Sequence, residues 1–311
     1  MLGVAYLSND DAFFVRVDLG GTMLGAPIRV NSVVGHAESV DVAFAPETNS
    51  WGVVSCGSNN SNDNLTLVEF DGSGVATATA AESLFNTNTT TARVVWTGTR
   101  FVVGWSEWDG VVAVGTKTGS GLETATVASD ATLDGDLELA HNPRTGKIGV
   151  AWVTNTWGLG FQIVDENGAA ISARLDQAST NGVRALALAT VDDGFLAMWE
   201  DLGKVYAWHT TDAGANPRRS AELFGGADDT DRLFLTPWQG KALLASTTSS
   251  GSPREIHLRT VDASFALSAP TTLLKAVLPI SGRPFADRGP FGSTVGAVTI
   301  GGNVDHVVLC P

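Results

Sequence analysis

A short apolar run recurs along the whole chain, and that recurrence limits the fold more than any other feature. The runs are Leu2–Tyr6, Trp51–Ser55, Phe101–Trp105, Ile148–Trp152, Phe195–Trp199, Ala242–Ser246 and Val295–Thr299. Their last residues are 49, 50, 47, 47, 47 and 53 positions apart. Each is five residues long, rich in β-branched and aromatic residues, and reads as a strand.

Two turn signatures keep the same period. Before most runs stands a polar or Gly/Pro turn: Thr97–Arg100, Pro143–Gly146, Val191–Gly194, Pro237–Gly240 and Gly289–Gly292. After the following strand comes Asp-x-x-Gly, as at Asp18–Gly21, Asp71–Gly74 and Asp165–Gly168, with Asp212-Ala-Gly214 and Thr118–Gly121 in equivalent places. An Asp that accepts its own turn's N–H groups, followed by a Gly free to take positive φ, is hairpin chemistry. Phe265 stands where the glycine falls in the fifth repeat, and a bulky side chain resists positive φ. A different turn is expected there.

Each repeat then reads as four strands, A to D, with the recurring run as B. In the best-marked repeat they are Leu137–Ala140, Ile148–Trp152, Leu159–Val164 and Ala170–Leu175. Four short strands at a 40–50-residue period mean a β-propeller. No amphipathic helical segment exceeds about ten residues. Seven B runs favour seven blades, which at ~48 residues each need ~336 residues by repeat arithmetic. The 311-residue chain opens on a B run and closes on a C-type strand, Val304–Leu309, so it is two strands short. Six blades are the alternative. Either way the two termini are expected to meet and close one domain over residues 1–311.

The segment Ala92–Glu107 contains Trp96-x-Gly98-x-x-Phe101-x-Val103-x-Trp105, and Ile148–Trp152 is followed by a strand ending in Asp165–Gly168. Both resemble repeats of large secreted and surface-anchored proteins of myxobacteria and related bacteria. The resemblance covers residues 2 to about 275 and implies an extracellular or cell-surface β-propeller. The amino terminus has neither a basic segment nor the apolar core of a secretion leader.

Charge narrows the partners. Asp and Glu number 33 against 19 Lys and Arg, a formal net charge of −14. Such a balance opposes binding to nucleic acid or anionic membrane surfaces. No apolar stretch reaches the ~18 residues that span a bilayer, so no membrane insertion is expected. The two cysteines, Cys56 and Cys310, are either buried thiols or one bridge.

Enzyme motifs are missing. The sequence lacks sialidase-type S-x-D-x-G-x-x-W boxes, a G-x-S-x-G elbow, H-E-x-x-H and a Walker loop. His36, His141, His209, His257 and His306 lie far apart and read as strand-end or turn residues.

The tryptophans divide into two groups. Trp105, Trp152 and Trp199 share one repeat position and read as packing between blades; Trp96 and Trp208 read as core. Trp108 and Trp157 lie in B–C loops outside that register, where an indole offers a flat stacking face and one N–H. In propellers the B–C and D–A loops share a face. Here they collect Asn9–Asp11, Asn59–Asp63, Glu107, Asp109, Asn155, Glu200, Asp201, Asn303 and Asp305, together with Asp130, Asp134, Asp136, Asp228, Asp229 and Asp231. The expectation is a non-enzymatic binding or scaffold role, with a glycan or protein ligand held by Trp108, Trp157, Glu107, Asp109 and Asn155 and no organic cofactor. The alternative is a Ca²⁺-dependent, lactonase-like hydrolase with carboxylates at the central channel, since Ca²⁺ takes six to eight oxygens.

Overall fold

A computed structural model describes the chain except residues 19–21, 32–36, 60–61, 86–88, 133–135, 180–181, 193, 216, 226–229, 249–253, 277–284, 290–291, 299–303 and 310–311, and from residue 273 on it describes backbone only. Among the described residues every regular element is a β-strand, and the strands form seven antiparallel sheets. The chain divides into two compact units: residues 1–156 with 160–174, and residues 157–159 with 175–311.

The first unit begins with a three-stranded sheet, Leu2–Ser8, Asp11–Val17 and Ile28–Arg29. Two four-stranded meanders follow. One is Ser39–Ala45, Ser50–Asn59, Asn62–Phe70 and Ala76–Phe85; the other is Thr89–Trp96, Phe101–Glu107, Val111–Thr118 and Gly121–Ser129. The unit continues through Leu137–Asn142, Lys147–Val153 and residues 160–164 of the strand Leu159–Val164. In the second unit, Ala185–Val191, Gly194–Asp201 and Lys204–Thr211 form a sheet whose last strand pairs with two short pieces, Arg218–Arg219 and Phe224–Gly225. A four-stranded sheet, Thr230–Trp238, Lys241–Thr248, Arg254–Val261 and Thr271–Ala276, comes next. A three-stranded one, Phe285–Gly289, Gly292–Val298 and Val304–Leu309, is last. The predicted B runs are the second strand of their sheets, or the first strand of the opening sheet.

Local turn chemistry explains the hairpins. Asp71 Oδ1 accepts the N–H groups of Ser73 and Val75, and Gly74 has φ +82°. Asp165 Oδ1 accepts those of Asn167 and Ala169, and Gly168 has φ +81°. The fifth repeat overturns its expectation. Asp262 Oδ1 accepts the N–H groups of Ser264 and Ala266, and Phe265 sits at φ +69°, so this turn repeats the others. The left-handed backbone costs ~1–2 kcal/mol for a non-glycine residue. Tertiary packing offsets it, because Phe265 lies half-buried against the cluster of Leu196, Leu235, Leu244 and Val261, with the Arg218 guanidinium 5.8 Å from its ring centre.

The predicted strand Ala170–Leu175 is also corrected. It makes one bridge, Ala170 with Val164, and regular strand resumes only over Leu175–Gln177. Ser172 accounts for the interruption, since its hydroxyl takes the N–H of Ile163 in place of a main-chain partner.

The core lies between adjacent sheets. Trp105, Trp152 and Trp199 are all buried. Trp105 packs with Val54, Cys56, Leu65 and Leu67 of the preceding sheet, and Trp152 with Val102, Val112 and Val114. Glycines in the strands make room for aromatic rings from the next repeat. A Cβ at Gly3 would come within 2.6 Å of the Trp51 indole, and one at Gly52 within 2.5 Å of Phe101. Trp208 is core, as expected, whereas Trp96 is only half-buried and donates its indole N–H to Glu47.

Candidate ligand-binding loops

Three of the five expected contact residues flank one segment of the first unit. Strand Phe101–Glu107 turns at Trp108-Asp109-Gly110; the Gly110 N–H donates to Glu107 O at 2.9 Å, and the Val111 N–H donates to Asp109 Oδ1 at 3.1 Å. Gly110 has φ +92°, and its carbonyl accepts the Ala131 N–H at 2.8 Å. On the other side of this segment, Thr154 bridges Ala131 and the Asn155 N–H donates to Asp130 O at 2.6 Å. The Asp130–Ala131 backbone thus joins the Trp108 turn to Asn155. Asp109 and Asn155 are exposed, and Trp108 keeps 51% of its surface in water.

Glu107 and Asp130 face inward, which revises the reading of the acidic rim. Glu107 Oε1 accepts the buried Trp105 indole N–H at 2.8 Å. Asp130 Oδ1 accepts that of Trp152 at 3.3 Å and also pairs in a fork with Arg174, at 2.8 and 2.5 Å. The Arg174 guanidinium lies 5.2 Å from the centre of the Trp152 ring. A buried indole N–H without an acceptor is costly, so these carboxylates serve the core tryptophans. Arg174 carries no motif and was not legible in the sequence.

Trp157 belongs to the second unit. It is 51% exposed, with its backbone at φ +61° and its carbonyl accepting the Val183 N–H at 2.9 Å. Glu200 and Asp201, expected in a loop, end the strand Gly194–Asp201 and are buried. Glu200 accepts the Gly203 N–H, which closes the turn, and Asp201 Oδ2 accepts the Ser179 hydroxyl at 2.7 Å. The side chains of Asn59–Asp63, Asp134, Asp228, Asp229, Asp231, Asn303, Asp305 and Cys310 lie outside the described residues, as does His36.

The remaining histidines stand within strands, at Leu137–Asn142, Lys204–Thr211, Arg254–Val261 and Val304–Leu309; His141 is one residue from its strand's end, and the other three are further inside. His209 is buried, and His257 pairs with Glu255 at 2.8 Å. Among the described residues no three His, Cys, Asp or Glu side chains come together as a metal centre would require.

Sequence reasoning missed a charged row on three consecutive first strands. Asp41 Oδ2 accepts the Val94 N–H at 2.9 Å, and the neighbouring Arg93 donates to Glu138 Oε1 at 3.1 Å. Burial pushes the Asp41 carboxyl up to about 6; Arg93 pulls it down and Glu138 adds to the rise. Burial likewise pushes the nearby Cys56 thiol up to about 12, which keeps it protonated and unreactive. The available signal was one charged residue in each of three consecutive first strands.

No family model and no curated protein matches the chain. Solved structures do. The chain is similar to a periplasmic gluconolactonase of Pseudomonas aeruginosa at 16% identity and TM-score 0.64, covering 98% of this chain and 89% of that one. It is similar to the SapL1 lectin, solved in complex with alpha methyl fucoside, at 13% identity and TM-score 0.57, covering 89% and 97%. It is similar to the Dos1 propeller at 9% identity and TM-score 0.51, covering 90% and 93%. At such identities the likeness carries the fold, an all-β propeller, and nothing about activity.

Proposed function

We propose that the chain is a single seven-bladed propeller over residues 1–311, closed by its termini, that binds a glycan or protein ligand outside the cell without catalysis. Its contacts in the first unit are Trp108, Asp109 and Asn155, with Glu107 closing the Trp108 turn through its carbonyl; Trp157, in the second unit, is a contact by itself. The observation that carries this reading is the exposure of Trp108 on a turn whose backbone is pinned on both sides. A tryptophan buries ~200 Å² when enclosed. At ~25 cal/mol per Å², leaving half of that in water forgoes ~2–3 kcal/mol of folding stability. A rigidly held indole that gives up so much burial suits a stacking platform. The SapL1 lectin supports a glycan as ligand and the gluconolactonase supports a hydrolase, so the fold favours neither. The hydrolase needs converging carboxylates, whereas Arg93 is the group that meets Glu138 on the first strands. That difference ranks Ca²⁺-dependent hydrolysis second.

A thermal-shift screen of the whole chain against glycans and peptides tests the reading. A ligand should raise the melting temperature of the native protein. Trp108→Ala should remove that response while leaving the unliganded melting temperature within about 1 °C. A large drop without ligand would make Trp108 a structural residue and end the proposal.

A further inference from the structure

Two consecutive repeats each hold an arginine over the register tryptophan, and only one of the two arginines meets an acid. In the first unit the Arg174 guanidinium lies 5.2 Å from the centre of the Trp152 ring and is forked to Asp130 at 2.8 and 2.5 Å. In the second unit the Arg219 guanidinium lies 5.5 Å from the Trp199 ring centre and 5.1 Å from that of Tyr206, and these two rings stack at 5.9 Å. Trp199 follows Trp152 by 47 residues, and the residue 47 after Asp130 is Gln177. Its amide donates to Ala178 O at 2.7 Å. The nearby Glu222 pairs with Lys204 at 2.8 Å. Among the described residues no carboxylate pairs with Arg219, and both residues of the strand Arg218–Arg219 are exposed.

The main chain of Arg219 is turned outward as well. Arg218–Arg219 lies at the outer edge of its sheet, opposite Trp208 and His209 of Lys204–Thr211. Ser220 donates its N–H to Ala207 O at 2.9 Å, which sets the antiparallel alternation. Ser220 and Arg218 therefore face the sheet, and Arg219, between them, directs its N–H and C=O away from it. A strand laid antiparallel along this edge would exchange both main-chain bonds with Arg219. The side chain directly opposite would stand on the Arg219 face, at ~5.5 Å between Cα atoms. Pro217, just before the strand, has no N–H and keeps such a ladder short, so selectivity falls to the guanidinium.

An unpaired guanidinium presents a planar fork of donors that matches a carboxylate, and Asp130 shows that match on the corresponding arginine. Arg219 itself lies over the Trp199 and Tyr206 rings, so the surface offers a guanidinium edge and a main-chain pair, not a ring face for a sugar. The net charge of −14 repels a strongly acidic partner at long range, which favours one acid within an otherwise neutral segment. We propose that the edge at Arg219 docks an extended peptide segment of a protein partner by strand addition, with a Glu or Asp opposite Arg219 forked to its guanidinium. This surface is independent of the Trp108 turn.

Fluorescence anisotropy of the whole chain with a labelled, capped nonapeptide tests the surface. The peptide alternates Thr and Val around a central Glu. Three further probes accompany it: the same peptide with a central Gln, the same peptide N-methylated at the central Glu, and the trisaccharide of galacturonic acid as competitor. The Glu peptide should bind with a Kd below about 1 mM, and at least about tenfold more tightly than the Gln and N-methylated forms. Arg219→Lys keeps the charge and loses the fork, and Arg219→Gln loses both. Each should weaken binding by about tenfold or more while leaving the melting temperature within about 3 °C.

Equal binding of the Gln peptide would overturn the acid, and equal binding of the N-methylated peptide would overturn strand addition. Displacement of the Glu peptide by an equal concentration of the trisaccharide would assign the guanidinium to an acidic sugar and overturn the peptide. Absence of binding by the Glu peptide would overturn this surface, with the Trp108 screen still deciding the broader reading. A larger fall in melting temperature for both Arg219 variants would show that the guanidinium serves the aromatic pair, and would overturn the proposal.

Discussion

Gly52→Ala tests the packing that joins one sheet to the next. Gly52 lies in strand Ser50–Asn59, and its missing side chain is replaced by the Phe101 ring of the following sheet. An alanine Cβ would stand 2.5 Å from Phe101 Cδ1, 2.6 Å from Cγ and 2.8 Å from Cε1. Carbon atoms rest at ~3.5–4.0 Å, so the ring or the strand must retreat by about 1 Å. Phe101 has little room to do so. It is 4% exposed, packs with Val54, Val94 and Trp105, and lies 4.8 Å from the Trp96 ring. Overpacking of this kind costs ~1–3 kcal/mol. Removing a glycine from the unfolded chain returns ~0.4–1 kcal/mol. The net expectation is a loss of about 1–2 kcal/mol, read as a lower urea midpoint at unchanged slope. Phe101→Leu shortens the obstructing group, so the Gly52→Ala/Phe101→Leu pair should be less destabilised than the sum of the singles by at least ~0.5 kcal/mol. A neutral or stabilising Gly52→Ala, or strict additivity, would refute the claim that glycine is there to admit the ring.

Three further outcomes follow from other sites. Phe265→Ala keeps the left-handed backbone and loses the ring packing, so it should destabilise by ~1–2 kcal/mol, whereas Phe265→Gly relieves the strain and should recover about 1 kcal/mol of that in thermal melts. Glu107→Ala should cost ~1–2 kcal/mol by leaving the Trp105 N–H without its acceptor, while Glu107→Gln, which keeps a carbonyl oxygen, should cost less than half as much in the same melts. Asp41 has its folded carboxyl raised to about 6 from 3.8, so the native state holds the proton more tightly than the unfolded chain. Its contribution is fully present below about pH 4 and is lost as pH rises through 6; at ~1.4 kcal/mol per unit this amounts to at most ~3 kcal/mol, and Asp41→Asn should flatten that part of the pH–stability curve.

Much of the architecture was legible because its causes are local. The B runs are unbroken apolar stretches of five residues, and the Asp71 and Asp165 turns are closed by groups two to four positions away. Phe265 was misjudged on the same local logic. Its backbone preference is outweighed by a side chain packed on strands from other parts of the sheet pair. The exposure of Trp108 and Trp157 was legible from their place outside the tryptophan register. The inward engagement of Glu107 was not, although its partner Trp105 is only two residues away, because a strand's two faces do not reveal where a long side chain folds back. Arg93 and Glu138 were missed for another reason. They are 45 residues apart, one repeat, and nothing local marks them as partners.

Composition and period determined the kind of element, its length and its repetition, since short apolar runs and turn chemistry act over a few residues. Tertiary structure alone decided which acids hold core tryptophans and which charges meet across neighbouring first strands. Those pairings join groups brought together by the stacking of one repeat on the next, and their energies exist only once that stacking has formed.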